Sequence, residues 1–164
     1  MASLNLFEIS DDYINYLHSI DSLVPTTKQE TRKFKRKYIG IVFNINEFNY
    51  YVNLSSFKSK HFNMKESIDF IKIGNKSVIN LNNMIPIIDS ELTKIDINKE
   101  EDVKYKNLLI EEYRIISKKE KIILKNAKIV YNQKINNPDG KLAKRCCDFK
   151  LLEEKSLEFQ EILI

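Results

Sequence analysis

The residues best suited to chemistry lie at the end of a strand-like run. Phe48 to Leu54 (FNYYVNL) reads as an extended segment, and Ser55, Ser56 and Lys58 follow it at once. A strand end sets side chains where the backbone leaves its sheet, a common place for working groups. Two hydroxyls and one ammonium within four residues suit phosphoryl chemistry on a substrate that carries its own nucleophile. RNA is such a substrate. Its 2′-hydroxyl attacks the adjacent phosphorus, and the protein has to align it, offset the charge growing on the phosphate and help protonate the departing 5′-oxygen. A lysine is a compact cation for the phosphate. Hydroxyls donate to its non-bridging oxygens. No metal is required for this. The same residues also describe an ordinary exposed turn, and residue types alone do not decide between the two.

Other chemistries find less support. The sequence has no G-x-S-x-G, no H-E-x-x-H and no GK[ST] loop. No acidic cluster suggests a two-metal site. The two histidines, His18 within a helical pattern and His61 in a polar stretch, are not set for a paired-histidine mechanism. The expectation is an enzyme with no cofactor and no metal. Cys146 and Cys147 are adjacent, which strains a disulfide, and nothing completes a zinc set around them. A reduced, cytoplasmic protein is expected. The opening MASLNLFEISDD has no basic region followed by an apolar core, and no stretch approaches the roughly 20 apolar residues that span a bilayer.

Charge points to a polyanion without establishing one. The formal net charge is +4 over 164 residues and the pI is about 8.9, a mild excess that many inert domains share. Its distribution says more. Lys28, Arg32, Lys33, Lys35, Arg36 and Lys37 crowd together with only Glu30 against them, and Phe34 and Tyr38 interleave with the cations. Cations alternating with aromatics suit phosphate contact plus base stacking, and equally an ordinary solvated loop. Lys58, Lys60 and Lys65 form a second basic stretch around His61, of which Lys60 and His61 are further candidates for RNA contact.

These groups need a frame. The chain length suits one domain, and hydrophobic residues at 43% supply a core. Leu4 to Ile9 reads as a first strand, with Ser10 or Asp11 capping a helix whose apolar face is Tyr13, Ile14, Tyr16 and Leu17. Tyr38 to Ile45 (YIGIVFNI) is a dense β-branched and aromatic run, and a turn at Asn46-Glu47 returns it through Phe48 to Leu54. Ile68 to Ile73 and Ser77 to Leu81 form a hairpin around Gly74-Asn75. Met84 to Leu92 reads as a strand whose Pro86 demands an edge or a bulge. From about Glu100 the period turns helical, giving two helices or one bent helix to about Ile135, a break at Asn136 to Gly140, and a last helix over Phe149 to Leu163. That helix is expected to bury Leu151, Leu152, Leu157, Phe159 and Ile162. Strands first and helices later predict an α+β fold, a strongly twisted antiparallel sheet or partial barrel with surrounding helices and a helical C-terminal half.

Taken in order, several segments resemble one family, the ToxN/AbiQ endoribonuclease toxins of type III toxin–antitoxin systems. They are Phe7-Glu8-Ile9-Ser10 with Tyr13 and Tyr16, then Val24-Pro25, then Tyr38 to Val42. Leu54-Ser55-Ser56 with Lys58 and His61 resembles the family's active-site segment. Ile79-Asn80-Leu81 into Met84 to Ile87, and Cys147 with Phe149 and Leu151 to Lys155, complete the match. The resemblance implies a compact Kid/MazF-like sheet and metal-independent cleavage leaving a 2′,3′-cyclic phosphate and a 5′-hydroxyl. It also implies inhibition by a repeat-derived RNA pseudoknot in a closed protein–RNA assembly, no membrane partner, and a role in abortive phage defence. It assigns Ser56 and Lys58 central roles, Ser55 a position where threonine is frequent, and Tyr13 a helix position near the site. Arg36 falls where relatives carry a basic residue, in a loop of different length and composition. Phe57 stands where proline is frequent. Two other readings remain open: an RNA-binding module without the reaction, and a Kid/MazF-type ribonuclease neutralised by a protein.

Overall fold

The computed structural model describes residues 4–26 and 34–162. Strand β1 (Asn5–Ile9) leads into helix α1 (Asp11–Ile20). Ser10 is the cap: its Oγ accepts the Tyr13 N–H at 3.4 Å and donates to Glu91 Oε1 at 2.5 Å. This satisfies one of the free donors at the helix start. Tyr13, Ile14 and Leu17 form the buried stripe of α1, at the spacing of one helical face.

The apolar run Tyr38–Ile45 is β2, and Phe48–Asn53 returns as β3. Asn46 holds the turn at φ 53°, a left-handed conformation that asparagine tolerates. Gly40 faces Tyr51 in the register of this pair. A Cβ at position 40 would lie 2.2 Å from the Tyr51 ring, so only glycine admits the tyrosine there. Gly40→Ala is expected to cost roughly 1–3 kcal/mol through overpacking. A urea unfolding curve with an unshifted midpoint would contradict that contact.

The chain then steps onto a second sheet. Ser55–Ser56 is β4, Phe70–Ile73 is β5 and Ser77–Asn80 is β6, ordered β4-β6-β5. Gly74, at φ 57°, turns the β5–β6 hairpin where expected. The segment from Met84 to Leu92 departs from the single strand expected. Ile85–Pro86 is β7, a 3-10 turn follows over Asp89–Glu91, and Leu92–Lys94 is β8. Pro86 lacks the N–H that would extend the ladder. The two pieces pair with opposite edges of the main sheet, giving the order β7-β3-β2-β1-β8. The result is a curled antiparallel five-stranded half-barrel, part of an α+β fold.

Helices α2 (Val103–Lys118) and α3 (Glu120–Asn136) are the two expected in the helical half. The short helix α4 (Lys141–Arg145) was not expected. Helix α5 (Phe149–Ile162) buries Phe149, Leu152, Glu153, Ser156 and Phe159, so Leu152 and Phe159 of the expected face are buried and the rest of it is not. Leu157 and Ile162 are exposed and Leu151 is half-buried. The correction has a polar cause. Glu153 Oε2 accepts the Tyr50 hydroxyl at 2.6 Å and the Tyr131 hydroxyl at 2.8 Å, and Ser156 Oγ donates to the Glu153 carbonyl at 2.7 Å. Hydrogen bonding makes burial of these groups tolerable. Tyr50, Tyr131 and Phe149 close the core around them, their rings 5.4–5.6 Å apart.

Candidate active site

The site arises where the chain changes sheets. Leu54, just beyond β3, donates its N–H to the Lys37 carbonyl at 2.9 Å. The next two residues pair with β6 instead, Ser55 with Val78 and Ser56 with Ser77. This switch places both residues in the lining of a cleft of about 430 Å³. Ser55 Oγ accepts an N–H from the Asn53 side chain at 3.0 Å, which fixes its rotamer, while Ser56 is exposed.

The rest of the lining comes from the segment before β2, the N-terminal turns of α2 and the β5–β6 turn. Lys35, Arg36 and Lys37 contribute from the first, Asp102, Lys104 and Tyr105 from the second, and Lys76 from the β5–β6 turn. Phe34 stacks on Tyr105 with ring centroids 3.7 Å apart and planes within 4°. Asp102 caps α2 by accepting the Tyr105 N–H at 2.9 Å. Burial raises the pKa of the Tyr105 phenol, so it stays protonated as a donor.

The cations are not equivalent. Lys37 was expected to meet RNA, yet it is buried and forms an ion pair with Glu112 on α2, its ammonium 5.1 Å from the Tyr105 ring centroid. It holds the floor of the cleft together. Lys35 is exposed; its ammonium donates to the Ile9 carbonyl at 3.2 Å and lies 3.9 Å from Asp11. Arg36 donates to the Thr26 carbonyl at 3.4 Å and reaches the cleft. With Lys37 and Glu112 neutralising each other, Lys35, Arg36, Lys76 and Lys104 face Asp102, and the cleft favours an anion. Lys28, Arg32 and Lys33 lie outside the described residues.

Lys58 is exposed, in extended backbone two residues beyond Ser56, and is not itself part of the cleft's lining. Its backbone is clamped by His61: the Lys58 N–H donates to Nδ1 at 2.8 Å, and the His61 N–H donates to the Lys58 carbonyl at 2.9 Å. His61 is buried, against an expected role as an RNA contact, and its ring packs beside Phe57 and Phe70. Burial lowers its pKa, and the charges of Lys60, Lys58 and Lys72 lower it further. The neutral ring keeps Nδ1 as an acceptor and its proton on Nε2. Lys60 is exposed in the same 3-10 turn.

Because the folded protein resists protonating His61, the stability this adds is complete above the ordinary imidazole value of about 6.5. It is lost as pH falls through the lower folded value. Protonation also removes the acceptor for the Lys58 N–H. The parent is therefore expected to lose stability relative to His61→Gln as pH drops below about 6.5. Parallel urea titrations of the two proteins across that range check it, and parallel curves would contradict the assignment.

Tyr13 is not brought to the cleft. It is fully buried, its hydroxyl donates to the Pro86 carbonyl at 2.6 Å, and its ring meets Phe159 edge-on at 5.1 Å. Burial raises its pKa far above the range of a working base. Helix α1 directs this side chain into the core, which answers the expectation that the residue acts near the site. Asp102, Lys104, Tyr105, Glu112 and Ser77 were missed from sequence. They join the cleft only through contacts distant in sequence.

Comparison with known proteins identifies the family. The sequence profile of the toxin ToxN family of type III toxin–antitoxin systems matches residues 5–156. The endoribonuclease ToxN of Bacillus thuringiensis subsp. kurstaki is 34% identical, over 93% of this chain and 82% of that protein. The endoribonuclease AbiQ of Lactococcus lactis subsp. lactis is 33% identical, over 94% of this chain and 88% of that protein. A solved structure reported as "A processed non-coding RNA regulates a bacterial antiviral system" superposes with a TM-score of 0.85 and 30% identity, covering 94% of this chain and 98% of that one. Another, reported as showing "selective toxin inhibition by a non-coding RNA pseudoknot", gives a TM-score of 0.83 and 30% identity, covering 97% and 99%. The chain belongs to the ToxN family, the toxins of type III toxin–antitoxin systems.

Proposed function

We propose that the protein is a metal-independent endoribonuclease toxin, held in check by a structured RNA and released against phage. The observation that carries this reading is the change of sheet at Leu54, which sets Ser55 and Ser56 in the lining of a cation-lined cleft, with Lys58 two residues further along the chain. The scissile phosphate sits between them. The 2′-oxygen attacks phosphorus and forms a new P–O bond, while the P–O5′ bond breaks. The 2′-proton leaves to solvent, and the 5′-oxygen takes up a proton. The products are a 2′,3′-cyclic phosphate and a 5′-hydroxyl. Lys58 neutralises the charge that builds on the phosphate, and Ser56, with Ser55, donates to its oxygens or orients the 2′-hydroxyl. His61 is a positioning residue for Lys58. Arg36, Lys35, Lys76 and Lys104 draw in the flanking phosphates, and the stacked Phe34 and Tyr105 give a base a flat partner.

The inhibitor, by likeness to the RNA-inhibited relative, is a repeat-derived RNA pseudoknot occupying the same cleft in a protein–RNA assembly. The cell compartment in this reading is the cytoplasm, where both RNAs are found. Among the described residues no helix is long and apolar enough to cross a membrane. Induced expression is expected to arrest growth with loss of transcripts, and transcription of a cognate repeat RNA, with no open reading frame, is expected to relieve it. Arrest relieved only by a translated partner favours a protein-neutralised ribonuclease. Bound but intact transcripts favour the non-catalytic binder.

A further inference from the structure

Ser77, in the lining of the cleft, carries an unanswered hydroxyl. It opens β6, lies directly opposite Ser56 in the antiparallel register, and lines the same cavity as Ser55 and Ser56. It is 2% exposed, and its Oγ finds no hydrogen-bond partner among the described residues. A buried hydroxyl left unpaired costs about 1–3 kcal/mol, so most such groups have partners. Alanine would fill almost the same space without that cost. A hydroxyl in this position is understandable when what enters the cleft supplies the partner.

The surroundings say what that partner is. Lys76 adjoins Ser77, and Arg36 and Lys104 line the same cavity, so the group that settles there is an anion. Side chains directly opposite across an antiparallel pair have their Cβ atoms about 4.5–5.5 Å apart, close enough for both hydroxyls to reach one phosphate. We propose that Ser77 contacts the substrate, its hydroxyl donating to a non-bridging phosphate oxygen of the RNA seated against Ser56. This rests on the nuclease reading above and extends it: a buried hydroxyl joins the exposed one, and the pair grips one phosphate from two strands. No bond is made or broken by Ser77.

The test uses the full-length protein and Ser77→Ala. A neutral donor lost from a charged acceptor is worth about tenfold to a hundredfold. Binding of an RNA whose attacking 2′-hydroxyl is replaced by hydrogen, which cannot be cut, is expected to weaken about tenfold. Single-turnover cleavage of the ordinary RNA is expected to slow by at least as much. The variant's melting temperature is expected to stay level or rise, because the change removes an unpaired buried group. A purely packing role predicts the reverse, a lower melting temperature with parental binding, and that outcome overturns the proposal, as do parental binding and rate together. If the parent binds RNA but does not cut it, the nuclease reading fails on its own. The binding comparison still decides Ser77: tenfold weaker binding sustains the contact, and unchanged binding removes it.

Discussion

Lys58→Ala is expected to slow RNA cleavage by about 10²- to 10³-fold, the scale of losing one preorganised group that meets charge developing in a transition state. Ser56→Ala is expected to fall in the same range. Both side chains are exposed, so neither change should move the melting temperature appreciably. Lys58 follows Ser56 by two residues in extended backbone, and the two hydrogen bonds between Lys58 and His61 hold that backbone in place. Single-turnover rates on a defined RNA read the effect directly. A variant that still arrests growth and cuts at the parental rate would remove its residue from the mechanism.

The second large effect is on stability. Glu112→Ala would strand the Lys37 ammonium, which is buried at the base of the cleft with Glu112 as its ion-pair partner. Removing one member of a buried pair typically costs about 3–5 kcal/mol, because the remaining charge is left uncompensated. The double replacement Lys37→Met with Glu112→Leu is expected to recover most of that loss, since apolar side chains of similar size often match a buried pair. Urea midpoints for the parent, the single and the double variant check both statements. A single variant as stable as the parent would mean that Lys37 reaches water or another partner once Glu112 is gone. The pair joins the segment before β2 to α2, so the single variant should also loosen the cleft and weaken RNA binding.

Local patterns in the sequence mapped well onto local structure. The Tyr38–Ile45 and Phe48–Asn53 hairpin, its Asn46 turn, the Ser10 cap and the Gly74 turn all follow from residue types within a few positions of one another. The ends of the fold were harder. In α5 the leucines suggested one face, but the buried face is set by Glu153 and Ser156, whose burial depends on Tyr50 and Tyr131, far away in the chain. The segment from Met84 to Leu92 looked continuous because its residues are strand-like, whereas its two halves serve opposite sheet edges.

The candidate site divides along the same line. Ser55 and Ser56 line the cleft, and their place was legible because the strand and the polar knot that follows it adjoin in sequence. Lys37 was grouped with the RNA-binding cations because no short-range signal betrays a partner 75 residues away. Ser77 drew no attention, for a serine at the start of a hairpin strand is unremarkable until its register partner is known to be Ser56. Tyr13 was placed near the site by resemblance, and its burial beneath Phe159 and Pro86 is a matter of tertiary packing.

In the proposed reaction the ribose supplies the nucleophile, and Lys58 and the serine hydroxyls stabilise the charge. The most direct measurement is to incubate the purified protein with end-labelled RNA in excess EDTA and identify the new termini. Cleavage undiminished by the chelator, with 2′,3′-cyclic phosphate and 5′-hydroxyl ends, is the predicted result. Cleavage that appears only when divalent ions are restored, or that leaves 3′-hydroxyl ends, would contradict it.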